Sequence, residues 1–455
     1  MSLDSKSEDS PEIEGVDALV ASFASKESDP RALRIGMEHE KFGLLTDTLA
    51  PLPYSGPRSI EAVFTRMVDD HGFDRFNEGG DTIALVKDGT SISLEPGCQL
   101  ELSGAVLHDN FETCRELTEH RDLVGALGEE LGIVWLGVGH TPFARLEDFE
   151  WPPKERYRIM RRYLPTRGRH GLEMMVRTGT VQSNFDYASE ADMVDKMQTA
   201  LAVTPIVSAI YANSAIVEGE VAPYTSVRQQ IWLDVDPDRT GLTPWIMDDD
   251  FGYRAWVEWA LDVPMFFIRR GGRYLGGVTG TPFRHFLEHG FEGYRARATD
   301  WSDHLSTLFP EVRLKEGYLE VRGADCCDRD LNCAHPALWK GILYDDDARA
   351  AARALMVDLD ADARERLRRD VARDGLAART ERAPVIELAR ELVAIARAGL
   401  RRLHPITAER DETGFLDPID RLLEERGASP GRIAAELWEG ELGRDPRRLV
   451  EHYRF

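Results

Sequence analysis

An α+β fold, with an antiparallel sheet wrapped by helices, follows from three features of this 455-residue chain. Apolar and polar residues alternate at period two through Ile35–Leu44, around Ser91–Ser103 and through Lys315–Arg322, the pattern of strands with one apolar face. Asp88-Gly89 separates two strand-like runs and reads as a hairpin turn, which makes that pairing antiparallel. From about Pro336 the pattern turns helical and rich in Ala, Arg and Leu. No stretch rich in Gly, Ser or Pro cuts the chain. Residues 31–455 are therefore expected to form one domain whose last part, about 336–455, is mostly helical. A partly disordered extension at 1–30 precedes it.

Taken in order, Val16 to Ala24 has the spacing of a short helix, and the first strand follows at about 33–44. Ile60, Val63, Phe64 and Met67 mark a helix over 59–70. Ile83–Lys87 and 91–103 are strands, the second interrupted by Pro96-Gly97. His108 to Leu131 is a long helix and Ile133–Val138 a strand. Glu155 to Tyr163 is helical. Met174–Phe185 is expected to be a strand, with Thr178, Thr180, Gln182 and Asn184 on one polar face. Ser189-x-x-Asp192 caps an amphipathic helix that Pro205 is expected to kink. Val227–Leu233 is a candidate strand carrying Arg228 and Trp232. A hairpin is expected around Gly271-Gly272.

Charge narrows the function. Lys and Arg number 56 against 80 Asp and Glu, a net −24 that argues against binding a nucleic-acid backbone. No apolar run reaches membrane-span length, and the polar, acidic first residues lack the order of a signal peptide. A cytoplasmic protein acting on small molecules, monomer or homodimer, is expected. The 5 cysteines are too few for a disulfide framework. Cys326, Cys327 and Cys333, with His335 nearby, leave open a zinc site or redox-sensitive thiols, although adjacent cysteines match zinc spacing poorly.

The polar strand faces carry the chemistry. Glu38 and Glu40 share one face of the first strand, opposite Met37 and His39. Glu101 lies with Gln99 and Ser103, Glu95 stands just before Pro96-Gly97, and Glu320 and Arg322 share a face with Tyr318. Unrelated solvated faces are the bland account. Carboxylates converging from several strands instead suggest divalent cations, which are hard and take oxygen ligands. Arg322 suits a phosphate clamp or, more plainly, a pair with Glu320. No G-x-x-x-x-G-K-[ST] occurs, so a P-loop is excluded. The residues alone reach as far as a Mg2+-dependent enzyme acting on a phosphate-bearing substrate.

Five segments carry a resemblance. They are Gly36-Met-Glu-His-Glu-Lys-Phe-Gly43, Ser93-Leu-Glu-Pro-Gly-Cys-Gln-Leu-Glu-Leu-Ser-Gly104, Arg177-Thr-Gly-Thr-Val-Gln-Ser-Asn184, Arg228-x3-Trp232 with its Asp-rich continuation to Gly241, and Tyr318-Leu-Glu-Val-Arg-Gly-Ala-Asp325. In this order they resemble glutamate–cysteine ligase of the plant and proteobacterial type, from about residue 31 to the C-terminus. The resemblance implies a glutamine-synthetase-like fold whose antiparallel sheet forms a funnel for ATP and Mg2+. It implies that ATP phosphorylates the glutamate γ-carboxylate and that the cysteine amine displaces phosphate, the first step of glutathione biosynthesis. It also implies metal ligands at Glu38, Glu40, Glu95, Glu101 and Glu320, with Gln182 ranked lower, and nucleotide contacts at Arg322 and Lys41. Glu320 and Arg322 are the implied catalytic pair, and Arg156, Arg228, Trp232 and Phe266 the implied substrate contacts. Two departures stand out. Cys326-Cys327-Asp328 replaces the family's Gly-Gly-Pro, and Phe266 stands where plant relatives have Tyr. The second leaves open a γ-glutamyl ligase for another amine. A catalytically dead, thiol-sensing regulator is the remaining alternative.

Overall fold

The computed structural model describes residues 10–403 and 411–455. The disorder expected at the extreme N-terminus therefore falls largely outside the described residues. Nine strands form one sheet. They are β1 (Ile35–Leu45), β2 (Asp74–Glu78), β3 (Asp81–Lys87), β4 (Thr90–Leu94), β5 (Leu100–Ser103), β6 (Ile133–Leu136), β7 (Thr180–Asp186), β8 (Val312–Lys315) and β9 (Tyr318–Asp325). Their order is β8-β9-β7-β1-β5-β4-β3-β2, with β6 also paired to β1, and every pair is antiparallel. The fold is thus the expected α+β sheet, with β1 at its centre.

One face of the sheet is apolar because the strands alternate. Ile35 and Met37 of β1, Val181 and Phe185 of β7 and Leu319 and Val321 of β9 are buried in the main core. The Glu190–Ile210 and Arg329–Leu343 helices cover them, and the Val385–Leu403 helix packs on those two helices from outside. Under β3, β4 and β5 a second cluster of Leu85, Ile92, Leu94, Leu100 and Leu102 packs on Ile60, Val63, Phe64, Met67, Val124 and Leu127. Those partners come from the Ile60–His71 and Asn110–Leu131 helices, each capped as its sequence demands. Ser59 Oγ accepts from Ala62 N–H and Asp109 Oδ1 from Glu112 N–H. The Val16–Ala24 helix forms as its spacing indicates and buries Leu19 and Phe23. Ser189 caps the next long helix, which continues through Pro205 to Ile210. The hairpin at Gly271-Gly272 is present, its strands being Ile268–Arg270 and Arg273–Leu275.

Two stretches expected as strand are helical. Gly171–Arg177 is α-helical and the strand starts only at Thr180. Glu173 and Arg177 pair at i,i+4 (3.1 Å), and Thr178 Oγ1 closes the turn on Met174 O (2.7 Å). Val227–Trp232 is likewise a helix, because Ser226 Oγ accepts from Gln229 N–H at 3.1 Å and caps it. In both runs a few local hydrogen bonds decide what a short apolar pattern leaves ambiguous.

The cysteines also depart from expectation. Cys333 is bonded to Cys114, 219 residues away, joining the Arg329–Leu343 and Asn110–Leu131 helices. His335 is occupied by Ser183 Oγ (2.8 Å) and Trp339 Nε1–H (3.1 Å). No zinc site forms there. Cys326 and Cys327 are buried thiols, and burial pushes Cys326 up to about 12, which makes it a poor redox sensor.

Asp325, at the end of β9, knits the fold to the cavity. Its carboxylate accepts from Asn213 N–H (2.8 Å), Ser214 Oγ (2.6 Å) and Ser226 Oγ (2.8 Å), and stands 3.7 Å from Arg228. This cluster fits because Gly139 lies against it: a Cβ there would sit 2.4 Å from Asp325 Oδ2. Gly139→Ala is therefore expected to lower stability by about 1–3 kcal/mol through overpacking, read as a drop in urea midpoint at unchanged m-value.

Candidate active site

The polar face of the sheet opens onto a cavity of about 630 Å³. Glu38, Glu40, Glu95, Glu101, Gln182, Glu320 and Arg322 all line it, as do Arg156, Arg228 and Trp232 from the flanking helices. Register explains the convergence. Glu40 stands directly opposite Glu101 across β1 and β5, and Glu38 sits between Ser103 and Gln182 on the neighbouring strands. Glu95 is presented by a turn whose Gly97 lies so close to Val176 that a Cβ would come within 2.4 Å of its carbonyl oxygen. Gln99 Oε1 accepts from Gly97 N–H at 2.7 Å and fixes that turn.

Like charges directly opposed on a sheet destabilise it, the more so when buried. Glu40 is pushed well above its ordinary value, first by burial and then by Glu95 and Glu101. Glu95 rises to about 7 for the same reasons. Glu38 is raised by burial and by Glu320 and Glu101. Each carboxylate keeps a hydrogen bond that fixes its direction. Thr180 N–H donates to Glu40 (3.1 Å), Ser93 Oγ to Glu101 (2.7 Å), Asn184 Nδ2 to Glu38 (3.2 Å) and Tyr157 Oη to Glu95 (3.3 Å). Hard oxygen donors whose mutual repulsion has no internal cure fit a divalent cation. Among the described residues, however, no three such side chains form a ready-made metal shell. The donors share a cavity rather than a point.

Glu320 differs. Burial would raise it, but Arg313 and then Arg322 outweigh burial and hold it ionised at about 2. Arg313 donates to it three times, at 2.6, 2.9 and 3.2 Å, and is itself fixed by the carbonyls of Ser306 and Leu308. Arg322 bridges Glu320 and the Gln182 side-chain oxygen. Gln182 is thus committed to an arginine, and the plain reading of an Arg322–Glu320 pair holds in this state.

The same cavity holds donors without partners. Arg156 Nε, Arg228 Nε and Trp232 Nε1 are buried and make no hydrogen bond. Arg228 Nη2 donates to Arg322 O (2.9 Å), tying these donors to β9. Buried unpaired donors are costly, so an anionic or carboxylate-bearing ligand is their natural complement.

Two expected contacts fall away. Lys41 has the opposite parity to Glu38 and Glu40, so it lies on the reverse face; its ammonium donates to Leu100 O (3.1 Å) and sits 5.4 Å from the Phe455 ring centre. Phe266 is buried outside the cavity, 4.1 Å from the Arg239 guanidinium and 5.3 Å from the Tyr163 ring. Neither lines the cavity. The sequence reading missed Arg313 and Lys315 as site residues: a single strand over Lys315–Arg322 puts odd positions opposite Glu320, whereas the Glu316-Gly317 turn reverses that parity and pairs Arg313 with Glu320 and Lys315 with Tyr318.

Fold and site together define an α+β enzyme that gathers carboxylates and arginines in the mouth of an antiparallel sheet. The chain belongs to Glutamate-cysteine ligase family 2 (GCS2), which it matches over residues 34–452. It is 42% identical over 436 residues to the chloroplastic glutamate–cysteine ligase of Arabidopsis thaliana, covering 95% of this chain and 81% of that protein. The chloroplastic enzyme of Brassica juncea is 41% identical over 428 residues, covering 93% and 81%. A solved glutamate–cysteine ligase from Francisella tularensis in complex with AMP shares the fold, with a TM-score of 0.55 at 14% identity over 93% of this chain and 89% of that one. The cytoplasmic expectation is corrected here: these curated relatives are chloroplastic enzymes and lend it no support. Among the described residues no helix is long and apolar enough to cross a membrane.

The repulsion has a pH signature. Glu95 binds its proton up to about 7 in the folded state against an ordinary 4.5, so the folded chain holds more protons between those values and its stability falls as pH rises through them. A cation that replaces the proton reverses this loss. Mg2+ is therefore expected to raise the melting temperature clearly at pH 8 and little at pH 5.5, read by differential scanning fluorimetry with a chelator control.

Proposed function

We propose that the chain joins the γ-carboxylate of glutamate to the amine of cysteine, with ATP cleaved to ADP and phosphate. In this reading the glutamate γ-carboxylate takes the terminal phosphoryl group of ATP, and the cysteine amine then forms the amide as phosphate leaves. The observation that carries it is the pairing, in one cavity, of a carboxylate cluster with unpartnered arginine and tryptophan donors, in a chain over 40% identical to named glutamate–cysteine ligases. Residues 31–455 are read as one catalytic unit built on the single sheet.

Glu38, Glu40, Glu95 and Glu101 would hold Mg2+, with Glu320 as a further ligand through the oxygen that Arg322 would vacate. Bound Mg2+ would neutralise charge on the transferring phosphoryl group. Glu320 is kept ionised by Arg313 and so needs no deprotonation before a cation arrives. Arg322 would turn from Gln182 toward phosphate oxygens, a bidentate partner that matches its planar fork. Arg156, Arg228 and Trp232 would receive the glutamate carboxylate and exclude water from it. Phe266 is buried outside the cavity lining, so it is no longer a ground for favouring another amine.

Purified protein with Mg2+, ATP and glutamate is expected to release ADP in strong dependence on cysteine and to yield γ-glutamylcysteine by mass. Turnover with a different amine only would refute the acceptor assignment. Glu40→Gln removes one repelling charge and one oxygen ligand at once. It is expected to lower kcat by about 100-fold or more while raising the melting temperature. A variant with near-normal turnover would contradict the role given to Glu40.

A further inference from the structure

Strand β8 places Arg313 and Lys315 two residues apart, so both side chains lie on the face that lines the cavity. Their fates differ. Arg313 is spent on Glu320 and two backbone carbonyls. Lys315 anchors its strand through its carbonyl, which accepts from Tyr187 Oη at 3.1 Å. Its half-buried ammonium has no hydrogen bond or ion pair among the described residues. The charged groups facing it are Arg313, Glu320, Glu38 and Glu316. Glu320 is already held by two arginines and Glu38 accepts from Asn184. A cation kept in a cavity of this kind, beside an arginine and without a partner, is placed for a polyanion. Burial and Arg313 both disfavour its charge, a cost that a bound anion offsets.

We infer that Lys315 contacts the terminal phosphates of the bound nucleotide, from the same cavity face as Arg322 but further along the β8–β9 pair, opposite Tyr318. This rests on the ATP-dependent ligase reading. The placement selects the terminal phosphates because Lys315 neighbours Glu38 and Glu320, where the phosphoryl group to be transferred would lie. A lysine suits that position: its three donors rotate about a compact charge and can follow a phosphoryl group as it moves, whereas a planar guanidinium holds one geometry.

The test is calorimetric binding of AMP, ADP and a non-hydrolysable ATP analogue, at saturating Mg2+, to the wild type and to Lys315→Met and Lys315→Arg. Lys315→Met is expected to weaken ADP and the analogue by about tenfold to a hundredfold and to leave AMP within about twofold; Lys315→Arg should recover most of the loss. In turnover, the KM for ATP should rise while the KM for glutamate holds. Equal weakening of AMP and ADP would assign Lys315 a structural role and overturn the inference. Unchanged ADP binding, with tighter Mg2+, would make it only a neutraliser of Glu38 and Glu320 and would also overturn it. A wild type that binds no ADP at all would refute the ATP reading itself, a failure seen before either variant is compared.

Discussion

The structure depends on one electrostatic constraint: carboxylates from separate strands share one buried face of a sheet. Glu40 and Glu101 stand in direct cross-strand register, and Glu38, Glu95 and Glu320 open onto the same cavity. In water such a set would be harmless. Here burial magnifies each repulsion, so Glu38, Glu40 and Glu95 either keep protons or take cations, while Glu101 and Glu320 are held toward the ionised form by their neighbours. The apolar reverse face, with two large helices against it and a third packed behind them, supplies the stability that lets the front face stay frustrated. Function and instability occupy the same residues, as is common where a site must bind charge.

The arginines show how that frustration is divided. Arg313 answers Glu320 outright, through three hydrogen bonds and with its own remaining donors fixed by backbone. Nothing comparable answers Glu40 or Glu95, whose protonation is instead favoured. Asp325 gathers Asn213, Ser214, Ser226 and Arg228, so the helix that carries Arg228 and Trp232 is moored to the end of β9. A single strand, Tyr318–Asp325, thus serves both sets of groups: it carries Glu320 and Arg322, and its Asp325 moors the helix of Arg228 and Trp232.

The sheet and its acidic face were legible in the sequence because strand parity is a local property. Once Ile35–Leu45 is a strand, Glu38 and Glu40 must share a face. The same rule, applied strictly, would have placed Lys41 on the reverse side, where it lies; motif adjacency misled there. Met174–Arg177, the start of the run expected as a strand to Phe185, and Val227–Trp232 are helical because in runs this short a few local hydrogen bonds outweigh periodicity. Phe266 sits in a loop, where sequence gives no parity and only packing against Arg239 and Tyr163 decides its direction. The Cys114–Cys333 bond spans 219 residues, beyond anything spacing can suggest. The plastid relatives bear on location, to which the fold itself contributes nothing.

The measurement closest to the central claim is the proton count of Mg2+ binding, from calorimetry near pH 6.5 in buffers of different ionisation enthalpy. If repulsion keeps Glu95 and Glu40 protonated until a cation arrives, binding must release protons, and the release must shrink as pH rises well past 7. Mg2+ binding without proton release would mean that the carboxylates already stand ionised, and no binding at all would mean that the cavity is not a cation site; either result would make the account of the cavity wrong.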